Sequence, residues 1–131
     1  MSLLTITIIQ TNLHWEDKAA NLQMLENKIR SIKQKTEIVV LPETFSTGFS
    51  MNPEELAETM EGETIQWMKK VAAENKIILT GSIICSDNTQ VVSTGQAKYY
   101  NRLIWMLPDD QYGIYDKRHL FAFAGEHNHY T

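Results

Sequence analysis

Four side chains in this sequence stand where chemistry could be done: Glu43, Lys117, Glu126 and Cys85. Glu43 follows Ile38-Val39-Val40-Leu41-Pro42. Four apolar residues, two of them adjacent valines, read as a strand buried on both faces. Pro42 has no N–H to donate and ends the ladder. Glu43 is therefore expected at the C-terminal end of a stiff strand, where sites sit in open α/β sheets. A carboxylate fixed by rigid backbone suits general-base work. Taken alone, Glu43 reads first as a turn cap; the other charges change that reading.

Lys117 closes the segment Tyr112-Gly113-Ile114-Tyr115-Asp116 and is followed by Leu120-Phe121. An ammonium near apolar and aromatic surface must meet a carboxylate or shift its pKa. By itself it reads as a hairpin lysine reaching into water. Glu126 comes nine residues later, after Gly125, and by itself reads as a solvated acid near a flexible terminus. Cys85 ends an apolar run with no base beside it in sequence, so it reads as a packed hydrophobe rather than a nucleophile. His119, His127 and His129 offer imidazoles without a partner cysteine or carboxylate at zinc-ligand spacing, a weak metal signal.

The elements that must position these groups follow from periodicity. Leu4 to Ile9 reads as a first strand, rich in β-branched residues. Asp17 is a candidate N-cap or first-turn acid, and Leu22, Leu25, Ile29 and Ile32 make an amphipathic helix over residues 16–34. With the strand carrying Glu43, this is a strand–helix–strand crossover, which predicts parallel pairing. Residues 46–52 read as a loop. Asn52-Pro53 opens a short acidic helix predicted to reach Met60, broken by Gly62. Ile65, Met68 and Ala72, with Trp67 and Val71 alongside, predict a second amphipathic helix to Asn75. Lys76 to Cys85 reads as a buried strand, and its Gly81-Ser82 predicts a close backbone approach or a bulge. Residues 87–96 read as a turn plus short strand. Tyr99 to Leu107 and Tyr112 to Lys117 form a hairpin around Pro108-Asp109-Asp110-Gln111.

Composition narrows the class. With 131 residues the chain is one domain or part of one, and 43% hydrophobic with 21% charged is ordinary for a globular protein. Twelve basic against sixteen acidic residues give −4, with no basic run, which argues against nucleic-acid or anionic-membrane partners. One cysteine excludes an internal disulfide framework and fits a reducing compartment. The apolar start Met1-Ser2-Leu3-Leu4 has no cationic lead-in and no small-residue cleavage site, so no signal peptide is expected. No apolar run approaches the ~18 residues of a membrane span. The expectation is a cytoplasmic protein.

Three blocks, in order, carry a resemblance. Leu41-Pro42-Glu43-Thr44-Phe45, then Tyr99-Tyr100-Asn101-Arg102, then Tyr115-Asp116-Lys117-Arg118-His119-Leu120-Phe121 with Gly125-Glu126, resemble the nitrilase (carbon–nitrogen hydrolase) superfamily. The last block and the tail Glu126-His127-Asn128-His129 are most similar to ω-amidase-like enzymes. The resemblance implies an α-β-β-α sandwich, an α/β layered fold, with a Glu–Lys–Cys triad. By position, Glu43 matches the general base that takes the thiol proton. Lys117 matches the cation that stabilises the tetrahedral intermediate. Glu126 matches a second glutamate that supports the lysine. The implied reaction converts a small aliphatic amide, favouring ω-amides of 2-oxo dicarboxylic acids such as 2-oxoglutaramate, to an acid and ammonia through a thioester. No cofactor or metal is implied, and the complete protein is expected to be a homodimer.

The sequence departs from the family in one respect. There the nucleophilic cysteine lies on a later strand beyond the second glutamate, whereas this sequence ends at Thr131 and Cys85 precedes Lys117. The expectation is that residues 1–131 are the N-terminal portion of a single carbon–nitrogen hydrolase domain, truncated before the nucleophile and inactive alone. One sheet face and its edge would then be uncovered. Rival readings are another aliphatic amidase or N-carbamoyl hydrolase, a non-catalytic α/β binding module on the same scaffold, and a histidine-based metalloenzyme.

Overall fold

The computed structural model describes residues 2–87 and 97–131, so most of the turn and short strand expected over 87–96 lies outside the described residues. Five strands form one sheet in chain order: β1 (Ile6–Ile8), β2 (Ile38–Val40), β3 (Ile78–Ser86), β4 (Tyr99–Met106) and β5 (Tyr112–Asp116). Helices α1 (Lys18–Arg30), α2 (Pro53–Leu56) and α3 (Glu63–Asn75) fill the two crossovers. β1, β2 and β3 are parallel, as the crossover pattern predicts, and β3, β4 and β5 are antiparallel. This is an α/β fold.

Register decides which side chains share a face. Thr7, Val39 and Leu79 lie across from one another, as do Ile8, Val40 and Thr80. On β3 and β4, Leu79 faces Met106, Gly81 faces Ile104 and Ile83 faces Arg102. One face therefore carries Val39, Leu79, Ile83, Ile104 and Met106. These form a single core with Leu22, Leu25 and Ile29 of α1 and Ile65, Met68, Val71 and Ala72 of α3. The period-2 and period-3.6 patterns meet there, and burial of this apolar surface is the main source of stability. The opposite face carries Ile6, Ile8, Leu103, Trp105 and Tyr115, all exposed.

Several elements are shorter than their patterns suggest. α1 begins after Glu16, whose φ of +54° is left-handed, and Asp17 caps it by accepting from the Ala20 N–H at 3.1 Å. It ends at Arg30, yet Ile32 still packs on the core from beyond the helix, which is why the apolar spacing overran the end. β1 covers only Ile6–Ile8, with Leu3 and Leu4 exposed. α2 stops at Leu56 rather than Met60, because Ala57 turns extended and Glu58 pairs with β3 through its own N–H and carbonyl. The Glu58 carboxylate then accepts from the Thr64 N–H at 2.9 Å and also from the Thr64 hydroxyl. That supplies the cap for α3 that Gly62 lacks. Gly81 shows the predicted close approach without a bulge: a Cβ there would sit 2.7 Å from Phe45 Cδ1 and 2.9 Å from Leu41 Cβ. Among the described residues no helix is long and apolar enough to cross a membrane.

Candidate active site

Glu43 is placed by the way β2 ends. The Leu41 N–H donates to Thr80 O at 2.8 Å, and Pro42 then interrupts the ladder. The chain is at once stitched to β3 again, with the Thr44 N–H donating to Ser82 Oγ at 2.8 Å and the Phe45 N–H to Ser82 O at 3.2 Å. Between these anchors Thr44 takes φ +46°, the left-handed region that a β-branched residue avoids. Strain of this kind persists only where neighbours over-determine it and concentrates at functional sites. Buried Phe45, against Gly81 and Trp67, is one such neighbour. Asn21 is another constraint, donating from α1 to His14 O and Ser46 O and accepting from the His14 N–H. The backbone around Glu43 is thus held from β3 and from α1.

Lys117 lies one residue past β5, and its N–H donates to Asn101 O at 2.9 Å, extending the ladder by one step. Glu126 is placed by a compact pair of 3-10 turns, Ala122–Ala124 and Glu126–Asn128, joined at Gly125 with φ +79°. Its carboxylate Oε2 accepts from the Phe121 N–H at 2.6 Å, and the Glu126 N–H donates to Phe121 O at 3.2 Å. The segment is pinned further by Tyr130, which is buried and donates to Ser50 O at 2.6 Å, and by the Thr131 N–H to Tyr99 O at 2.7 Å.

These placements bring the three sequence-selected charges together. Lys117 Nζ lies 2.8 Å from Glu43 Oε1 and 3.0 Å from Glu126 Oε2. Glu126 is fully buried rather than a solvated acid, and Lys117 is a paired cation rather than one reaching into water. Glu43 is half exposed, so it borders solvent while its partner carboxylate does not. Lys117 Nζ also lies 5.3 Å from the Phe49 ring centre.

The electrostatics follow from burial and partners. Burial opposes the charge on Glu126, but hydrogen bonds from the Phe121 N–H, Lys117 and Asn101 outweigh it and hold the carboxyl below its usual range. Burial likewise opposes the charge on Lys117, and the bonds and charges of Glu43 and Glu126 outweigh it and raise its pKa. Burial, with both glutamate charges behind it, pushes the Tyr130 phenol up. A cation flanked by ionised carboxylates results, with a groove of about 300 Å³ in front of it. Val40, Ser82, Leu103 and Tyr115 line the groove beside the charged groups. Such a site can remove a proton through Glu43 and hold a developing oxyanion on Lys117.

Asn101 also belongs to this cluster, and the sequence reading assigned it no role. It is buried and donates from Nδ2 to Glu43 Oε1 at 2.7 Å and to Glu126 Oε1 at 3.2 Å. An asparagine within an otherwise β-rich run, one step from Arg102, was the available signal. Cys85 is not in the cluster. It lies on the helix-covered face within 3.4 Å of an Arg102 nitrogen, and burial, against the opposing pull of Arg102, raises its pKa. That fits a packed thiol rather than a nucleophile. His119, His127 and His129 are exposed, and among the described residues no group of three or more His, Cys, Asp or Glu side chains is gathered to hold a metal.

Comparison with known proteins places the chain in a lineage. The chain is 38% identical over 130 residues to an omega-amidase, YafV, of Yersinia enterocolitica, covering 99% of this chain and 47% of that protein. It is 27% identical over 128 residues to a 2-oxoglutaramate amidase of Bacillus subtilis strain 168, covering 94% of this chain and 46% of that one. It superposes with a TM-score of 0.89 and 34% identity on XC1258 from Xanthomonas campestris, a CN-hydrolase superfamily protein with an arsenic adduct in its active site. That match takes in all of this chain and 46% of the other. The chain thus spans about half the length of the relatives it matches. The carbon-nitrogen hydrolase family model matches residues 5–131, and the chain belongs to that family.

Proposed function

We propose that residues 1–131 are the N-terminal portion of a cytoplasmic, homodimeric amidase that hydrolyses ω-amides of small 2-oxo dicarboxylic acids, 2-oxoglutaramate among them. The observation that carries this reading is the Lys117 ammonium bound between Glu43 and buried Glu126 at the head of an open groove. The similarity to an omega-amidase and to a 2-oxoglutaramate amidase supports the substrate class.

In this mechanism the nucleophile is a cysteine that follows residue 131 in the complete chain. Glu43 takes the thiol proton as sulfur attacks the amide carbon, and the carbonyl electron pair moves onto oxygen beside Lys117 Nζ. Among the described residues both hydrogen bonds to Glu43 fall on Oε1, which directs proton transfer to Oε2. Collapse of the intermediate breaks the C–N bond, and the proton on Glu43 leaves with nitrogen as ammonia. Water then gives a proton to Glu43 as its oxygen adds to the thioester carbon. Collapse breaks the C–S bond, the Glu43 proton returns to the departing sulfur, and the carboxylic acid and the free thiol are released with Glu43 ionised as at the start. Glu126 keeps Lys117 charged and aimed throughout.

The test is expression of the complete coding sequence and a panel of amides: 2-oxoglutaramate, 2-oxosuccinamate, glutamine, asparagine, simple aliphatic amides and an N-carbamoyl amino acid. Release of ammonia from the 2-oxo acid amides at the highest kcat/KM is the expected result. Preference for the N-carbamoyl compound would overturn the substrate assignment, and binding without turnover of any member would overturn the activity.

A further inference from the structure

The Glu43–Lys117–Glu126 cluster contains two carboxylates and one ammonium, so one negative charge is left over and each acid gains from any further donor. Asn101 stands at that point. It sits on β4 opposite Ile84, on the face of the sheet that carries Ser82 and Leu103. The residue is 3% exposed, and its amide nitrogen lies 2.7 Å from Glu43 Oε1 and 3.2 Å from Glu126 Oε1. A primary amide has two N–H bonds and can give one to each carboxylate without adding charge. Lysine could not replace it without a second cation, and aspartate would add a third anion.

We propose that Asn101 is a positioning residue for this site, an uncharged bridge that fixes the Glu43 side chain and holds it beside Glu126 around one lysine. The proposal rests on the amidase reading above. Its physical content is that two of the bonds the acids receive come from one side chain on β4, the strand between β3 and β5. The charged and titratable groups facing the bridge are Glu43 from the end of β2, Lys117 from the end of β5, and Glu126 and the Tyr130 phenol from the closing segment. The backbone carbonyl of Asn101, which accepts from the Lys117 N–H, is present whatever the side chain, so β4–β5 pairing survives substitution.

Two variants of the complete protein test this. Asn101→Ala removes both donors; kcat should fall about tenfold to a hundredfold, the range for losing a hydrogen bond to a charged group, with KM much less affected. Asn101→Asp keeps the shape, and only its protonated form has a donor, so its kcat relative to wild type should decline as pH rises. In the same proteins, the side-chain carboxyl carbon of Glu126, assigned by carbon-13 NMR against Glu126→Gln, should titrate at higher pH in Asn101→Ala than in wild type. An active wild type whose Asn101→Ala form keeps kcat and the Glu126 titration would overturn the proposal. So would an Asn101→Asp profile parallel to wild type. If wild type turns over no amide, the amidase reading fails separately, and the Glu126 titration still decides whether Asn101 holds the two acids.

Discussion

Two clusters, each of one cation and two carboxylates, stand back to back across the same hairpin. On the helix-covered face Arg102 pairs with Asp116, at 2.7 Å and 3.0 Å, and with Asp87, both bonds at 3.1 Å. On the open face Lys117 pairs with Glu43 and Glu126. The two sets come from adjacent residues: Asn101 and Arg102 on β4, Asp116 and Lys117 at the end of β5. Alternation along a strand sends neighbours to opposite faces. What differs is the cation. The planar guanidinium of Arg102 is almost fully buried, engages both carboxylates through paired bonds, stacks within 5.2 Å of the Tyr100 ring centre, and has its pKa raised chiefly by its bond to Asp116. It is saturated and locks β3, β4 and β5 in register. The ammonium of Lys117 keeps part of its surface open to a groove and can meet a new negative charge. Equal charge counts thus give a closed clamp on one face and a cluster open to a groove on the other.

The sharpest way to break that comparison is to neutralise Glu43. In the complete protein Glu43→Gln should lower kcat about 10²–10⁴-fold, the usual contribution of a general base, while the unfolding midpoint falls only slightly, because the half-exposed Glu43 gives up its charge pair with Lys117 but keeps a hydrogen-bonding oxygen. A rate within about threefold of wild type would remove Glu43 from the chemistry.

Substituting the clamp should give the reverse signature. Arg102→Ala removes a buried guanidinium and leaves Asp116 and Asp87, each about a third exposed, without their cation, and the expected loss is about 1–3 kcal/mol of stability, read as a lower urea midpoint. If the loss is below about 1 kcal/mol, the clamp is not what holds the hairpin.

Acidity separates the clusters more gently. The Glu126 carboxyl titrates below its ordinary 4.5 in the folded chain, so its stabilising contribution is complete above 4.5 and is lost as pH falls through the folded value. Urea midpoints measured from pH 6 downward should therefore fall less steeply in Glu126→Gln than in wild type; parallel curves would contradict the assignment. The raised pKa of Lys117 acts in the opposite window. Its contribution is present below 10.5 and lost as pH rises through the higher folded value.

The smallest effect is expected at Cys85. Cys85→Ala removes a buried thiol that touches Arg102 and the Met60 sulfur, at about 1 kcal/mol of stability and no loss of rate. Loss of turnover in this variant would make Cys85 the nucleophile and redraw the site on the helix-covered face.

Much of this was legible along the chain. The Val39-Val40 run stopped by Pro42 told where Glu43 would stand, because proline cannot continue a ladder. The apolar spacing through Leu22, Leu25 and Ile29 told which face of α1 is buried. Asn52-Pro53 marked the start of α2 but not its end. The pairing of Glu58 with β3 is a long-range competition that no local pattern records. The same limit applied to Glu126. Near the end of a chain an acid reads as solvated, and only the 3-10 turns that fold it under Phe121 bury it.

The sequence by itself determined the alternating elements, the parallel crossover, the strand-end positions of Glu43 and Lys117, and the family. These depend on periodicity, turn chemistry and motif order, which are properties of neighbours along the chain. The tertiary structure alone decided that Glu43, Lys117 and Glu126 meet within 3.0 Å, that Asn101 joins them, and that Arg102 and Cys85 turn the other way. Residue separations of 74 and 58 are closed only by sheet register, and register is set by the whole buried face rather than by any segment of it.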